Sequence, residues 1–215
     1  MSSHARVALA ALFIAAAPAH AARRVYGSSL RAPATIARAN GADSAFWPAA
    51  IRGHGPGAPV RGQILAIRLK GTALRPAGAP DPLNEIHFQH LVRRANGTMF
   101  VAQTSQPFRT PIGGRRNQVT TFRPENLCVA RGDVIAFNDE GGFAPPWYSN
   151  GVPFRVFGSV RGSSTAQYTA DNQTNNGATF NGGRVRHHEE LLMQLVLGTG
   201  PDLGVPCRNY LHAAH

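Results

Sequence analysis

The sequence predicts an all-β protein: an antiparallel β-sandwich, jelly-roll-like, in a single domain with an irregular N-terminal arm. Three observations predict it. Short runs that alternate apolar and polar residues recur from Val60 onward, clusters of Gly, Pro and Asn separate them, and no helical period persists. Two widely spaced cysteines, Cys128 and Cys207, offer a staple for such a domain.

Residues 1–21 read as a signal peptide. Arg6 precedes an apolar run from Val7 to Ala17, and Ala19-His20-Ala21 supplies the small residues a signal peptidase requires. The run is shorter than the ~20 residues needed to span a bilayer. With cleavage after Ala21, no transmembrane segment remains in residues 22–215. The stretch from Ala22 to Pro59 is rich in Ala, Arg, Gly and Pro and shows neither period, so it reads as an extended arm or a first irregular strand.

The sandwich proper is expected over residues 60–207, with 208–215 as a tail. Leu65, Ile67 and Leu69 alternate with Ala66, Arg68 and Lys70, as in a half-buried strand. Ile86, Phe88, His90 and Val92 repeat the pattern, and Met99 to Ala102 follow after Asn96-Gly97. Asn-Gly between two such runs predicts a hairpin with a type I′ turn. Gln118 to Phe122, Val134 to Phe137 and Phe154 to Val160 are further strands. Leu191 to Leu197 has helical propensity, but its abrupt end at Gly198 and its all-β context favour a strand. In an exported chain Cys128 and Cys207 are expected to form a disulfide.

Two segments carry a resemblance. Pro124-Glu125-Asn126-Leu127-Cys128-Val129-Ala130-Arg131-Gly132-Asp133-Val134-Ile135-Ala136-Phe137-Asn138-Asp139 resembles a segment that recurs in secreted, uncharacterised β-sandwich proteins of high-GC actinobacteria. Tyr148-Ser149-Asn150-Gly151-Val152-Pro153-Phe154-Arg155-Val156-Phe157 does likewise. The resemblance spans roughly residues 60 to 207. It implies a jelly-roll-like fold and an extracellular or cell-surface location, and brings no established activity.

Charge constrains the partners. The chain holds 22 Lys plus Arg against 11 Asp plus Glu, a net charge of +11. Nearly all the basic residues are Arg, scattered through every segment rather than gathered in a run. This argues against a specific nucleic-acid footprint, which clusters its charge, and leaves a solvated basic surface or attraction to an anionic envelope polymer.

Motifs for chemistry are weak. Arg131-Gly132-Asp133 matches an adhesion tripeptide, but a turn leading into a strand has equal use for Gly and Asp. His87 and His90 point to opposite faces of a strand, His187-His188-Glu189-Glu190 diverges if extended, and neither approaches a zinc signature. No metal site and no cofactor are read from the sequence. The carboxyl pairing weighed for glycoside hydrolysis is Asp139 or Glu140 with Glu189 or Glu190, and no Gly-x-Ser-x-Gly elbow is present. No catalytic residues are assigned.

The loop from Asn138 to Pro153 is long for a sandwich connection and holds Phe143, Trp147 and Tyr148. Asp139, Glu140, Trp147, Tyr148 and Asn150 are the candidate ligand-binding residues, since flat rings with carboxylate and amide groups suit hydroxyl-rich ligands. A second loop, Tyr168 to Gly183, is dense in Asn, Thr and Gln and offers hydrogen bonds beside it. The sequence thus points to a secreted noncatalytic protein that binds glycan or an anionic cell-envelope polymer. A structural or interaction protein of the cell surface is the alternative, ahead of an extracellular polymer-acting hydrolase. The sequence leaves the oligomeric state unknown.

Overall fold

A computed structural model describes residues 22–39, 41, 43–75, 84–141, 152–169, 175–200, 203–204 and 207. Residues 1–21, expected to be a signal peptide, and the tail from 208 lie outside them. The named elements among the described residues are all strands. In chain order the strands begin with β1 (Ala22–Gly27), β2 (Ile36–Arg38), β3 (Ser44–Ala50), β4 (Gly62–Lys70), β5 (Thr72–Ala73), β6 (Glu85–Arg93) and β7 (Met99–Thr104). They continue with β8 (Val119–Phe122), β9 (Cys128–Val129), β10 (Val134–Gly141), β11 (Phe154–Thr169), β12 (Thr179–Phe180), β13 (Arg184–Leu191) and β14 (Met193–Thr199).

Two antiparallel sheets form the sandwich. The smaller has the order β1-β14-β4-β8, with β9 also on β4; the larger runs β12-β7-β6-β10-β3-β11-β13, with β2 and β5 also on β11. Alternation along the strands sends one set of side chains between the sheets. Ile64, Ile67, Leu69, Phe122, Leu195 and Leu197 of the small sheet meet Phe46, Phe88, Phe137, Phe154 and Val156 of the large one. Rings tile this layer: Phe88 lies 5.3 Å from Phe122 and 5.7 Å from Phe108, and Phe137 meets Phe154 edge-on at 5.0 Å. Tilted and edge-on pairs of this kind add to plain area burial.

The large sheet has a second apolar cluster on its other face, built from Ala45, Trp47, Leu91, Met99, Val101, Ala136, Ala166 and Phe180. Phe180 packs on Trp47 and stacks on Tyr168 at 4.3 Å. Strands β3 and β10 are therefore buried on both faces. That explains the main departure from expectation: the segment from Ala22 to Pro59 is no irregular arm but supplies β1, β2 and β3, the last lying between β10 and β11. Its core, Ser44-Ala45-Phe46-Trp47, lacks polar alternation because neither face meets water. Pro48, which cannot donate to a ladder, follows the Ser44–Phe46 stretch that pairs with β10 and sits where the β11 register shifts.

Two expectations are refined. The hairpin between β6 and β7 forms, with Arg93 opposite Met99, yet only Gly97 has a positive φ (84°). Gly97 N–H donates to the Arg94 carbonyl and Arg94 N–H to the Thr98 carbonyl. The connection is therefore a type I turn closed by a glycine bulge rather than the expected type I′ turn. The segment Leu191 to Leu197 is extended, divided between the end of β13 and β14, with Val196 opposite Ala66. Cys128 and Cys207 are bonded, their Cα atoms 5.4 Å apart.

Candidate functional site

The outer face of the large sheet changes character along β6. Ile86 and Phe88 point between the sheets, while Glu85, His87, Gln89 and Leu91 share the opposite face. At the Leu91 end that face is covered by the second apolar cluster. At the Glu85 end it is polar. Across the ladders, Asn138 of β10 stands opposite His87 and Thr104 of β7 opposite Gln89.

These residues border a cavity of about 310 Å³. Its lining is His87 and Gln89 from β6, Thr104 from β7, Asn138 and Glu140 from β10, with Asp43 just before β3 and Asn175 before β12. Every lining side chain is polar, and Asp43, Gln89 and Asn138 are buried. Asn138 Nδ2 donates to Asp43 Oδ1 at 2.8 Å. Asp43 itself has φ 58°, the left-handed region that Asp tolerates better than most residues.

Glu140, two residues after Asn138, shares this face, and a bulge lies beside it. The β6–β10 register shifts between Asp139 and Gly141, so Glu140 is the extra residue. Its carboxylate pairs with His87 Nε2, and Glu85 Oε1 lies 3.6 Å from the same nitrogen. His87 Nδ1–H donates to the Ser105 carbonyl at 2.8 Å. Burial alone would lower the His87 pKa. Hydrogen bonds to Glu140 and Ser105, with the charges of Glu140 and Glu85, outweigh it and raise the pKa above its ordinary value. The ligand atoms of Glu85, His87 and Glu140 all lie within 4.8 Å of one another, the one such group of potential metal donors among the described residues.

Of the residues expected to bind ligand, Glu140 lines the cavity. Asp139 is buried on the face that Phe137 occupies and is not part of the lining. Trp147, Tyr148 and Asn150 lie outside the described residues. The loop from Tyr168 to Gly183 contributes Asn175. Asp43, Glu85, Gln89 and Thr104 were not singled out in the sequence. The available signal was the polar row Glu85-x-His87-x-Gln89 on a strand whose other row is Ile86 and Phe88.

The carboxyl pairing weighed for hydrolysis does not assemble. Glu189 and Glu190 stand opposite Ser159 and Gly158 near the start of β11, whereas Asp139 stands opposite Ser44, which faces Thr169 at the far end of β11. Glu189 pairs with Arg38, and Glu190 accepts from the Ser28 and Ser163 hydroxyls at 2.6 Å each. His187 is exposed and bonds Ser164, and His188 is exposed with φ 60°. These four residues therefore share no site.

Arg131-Gly132-Asp133 is a tight turn with Gly132 at φ 92°. The Asp133 carboxylate is engaged internally, accepting from Ala130 N–H at 2.7 Å and from His90 Nε2–H at 2.6 Å. His90 is buried, because β6 turns it to the inner face. His87 and His90 do point to opposite faces.

No protein-family model matches the chain, and no curated protein or solved structure matches it either.

Proposed function

We propose that the protein is a secreted, noncatalytic binding module that takes a hydroxyl-rich ligand, a glycan, in the cavity on the outer face of its large sheet. The observation that carries this reading is the lining: seven side chains, all polar, around about 310 Å³. Asp43, Gln89 and Asn138 are buried at its wall, with Asn138 bonded to Asp43, so the fold fixes polar groups in place where a polar guest can meet them. The volume lies at the small end of ligand pockets, suited to one sugar unit. In the chain, the aromatic segment with Phe143, Trp147 and Tyr148 begins just beyond Glu140, and rings beside amides and carboxylates are what sugar faces and hydroxyls call for. Export is supported by the signal pattern at residues 1–21 and by the Cys128–Cys207 bond.

A second reading has its own observation. The outer face of the small sheet gathers Arg23, Arg68 and Arg123 around an open hollow of about 480 Å³, which suits an anionic envelope polymer. One experiment separates the two. Residues 22–215 are tested against neutral glycans and anionic polymers at low and high salt, with Gln89→Ala, Trp147→Ala and Arg68→Ala in parallel. Salt-resistant binding weakened about 10-fold or more by Gln89→Ala supports the cavity, since a hydrogen bond lost from a buried group costs ~1–3 kcal/mol. Salt-sensitive binding lost only in Arg68→Ala supports the polymer, and no binding to either panel overturns both.

A further inference from the structure

We propose that Glu85, His87 and Glu140 form a binding site for one divalent transition-metal ion beside the polar cavity. The proposal needs no sugar in that cavity and stands apart from the glycan reading.

The donors are delivered by rigid backbone. Glu85 and His87 are two residues apart on one face of β6, and Glu140 of β10, on the same face as Asn138, meets His87 across the ladder. Metal–nitrogen and metal–oxygen bonds of ~2.1 Å place tetrahedral donors ~3.4 Å apart. The 3.6 Å between His87 Nε2 and Glu85 Oε1 is close to that spacing, and all three ligand atoms lie within 4.8 Å of one another.

The histidine is prepared for the task. Because Nδ1–H donates to the Ser105 carbonyl, the ring is fixed with Nε2 aimed at the two carboxylates. Metal-bound histidines almost always carry such a second hydrogen bond, which sets the tautomer and the ring orientation. Two carboxylates and a neutral imidazole balance a 2+ ion. A nitrogen donor beside two oxygens favours Zn²⁺, Mn²⁺ or Co²⁺ over Ca²⁺ and Mg²⁺, which take oxygen alone.

An independent feature points to a guest at the same place. Thr104 lines the cavity that His87 and Glu140 border, and its hydroxyl is buried with no hydrogen-bond partner among the described residues. Three protein donors leave coordination positions open, and the cavity gives space for water or a ligand hydroxyl to occupy them. The Thr104 hydroxyl is placed to bond such a group.

Chelator-treated residues 22–215 are titrated calorimetrically with Zn²⁺, Mn²⁺ and Ca²⁺ in the absence of any sugar, and Co²⁺ is followed by its visible absorption. One Zn²⁺ or Mn²⁺ per chain is expected, with Ca²⁺ far weaker. Affinity should fall about 100-fold in the near-isosteric Glu85→Gln/Glu140→Gln pair and in His87→Ala, but hold in His187→Ala, which removes an exposed histidine elsewhere. Thermal melts of each variant without metal show whether it folds; the Glu→Gln pair keeps shape where His87→Ala does not. Absence of saturable binding overturns the proposal, and so does binding that survives in the folded variants or disappears in His187→Ala. Sugar binding in chelator reports on the glycan reading alone.

Discussion

The Tyr26 hydroxyl is buried without a hydrogen-bond partner among the described residues. Burial first, and the nearby Asp133 charge second, raise its pKa from the ordinary 10.0. The folded chain therefore disfavours the ionised form. Stability from this group is complete below the unfolded value and is lost as pH rises through the raised folded one. Denaturant midpoints followed from about pH 9 to about pH 11 should fall, and Tyr26→Phe should flatten that decline. At neutral pH the same substitution should be neutral or stabilising by up to ~1 kcal/mol, since it removes an unpaired buried hydroxyl. Glu190 is the opposite case, with each carboxyl oxygen met by a serine. Ser163→Ala should cost ~1–3 kcal/mol in equilibrium unfolding, because it leaves one buried oxygen unmet. Neither environment is written in the neighbouring residues. Ser28 and Glu190 are 162 positions apart, and only the closed sandwich brings them together.

At the level of strands, legibility followed solvent exposure. The runs at Ile67–Lys70 and Gln118–Phe122 were readable because one face is buried and the other meets water, and β4 and β8 stand there; Ile86–Val92, on β6, was readable from its inner row although Leu91 covers part of its other face. β3 was hidden because Phe46 and Trp47 face two different apolar layers. β13 was hidden for the opposite reason: Arg184-Val185-Arg186-His187-His188 is largely exposed at the sheet edge. Of the cavity lining, Glu140 was picked out as part of an expected loop and stands instead on β10, while Gln89 and the neighbouring Glu85 were missed because their partners come from other strands. Two substitutions test this level. Phe88→Ala removes a ring in contact with Phe108, Phe122 and Phe137 and should cost ~3–5 kcal/mol in denaturant unfolding. Gly71, between β4 and β5, has φ 122°, and a Cβ there would stand 1.9 Å from the Arg155 carbonyl oxygen. Gly71→Ala should destabilise by well over ~1 kcal/mol, seen as a lowered melting temperature.

For the molecule as a whole, the disulfide was the long-range contact most plainly foreseen. Cys128 and Cys207 are 79 positions apart, and Cys128 sits in β9, next to Gln63 of β4. In the chain-entropy picture a loop of that size contributes ~4 kcal/mol. Cys128→Ala/Cys207→Ala should lower unfolding free energy by about that amount, and reductant should have no further effect on the variant's melting curve.

The pairing of β1 with β14 has a consequence for the newborn chain. Ala22 lies opposite Thr199, a separation of 177 positions, and β4, whose register also runs along β14, is bracketed in the same way. As the polypeptide emerges from the ribosome, the first strand of the small sheet has no neighbour to bond until the last strand has been made. The small sheet therefore stays open at β1 through nearly all of the chain's synthesis, and its closure is a late event governed by distant encounters, which are intrinsically slow.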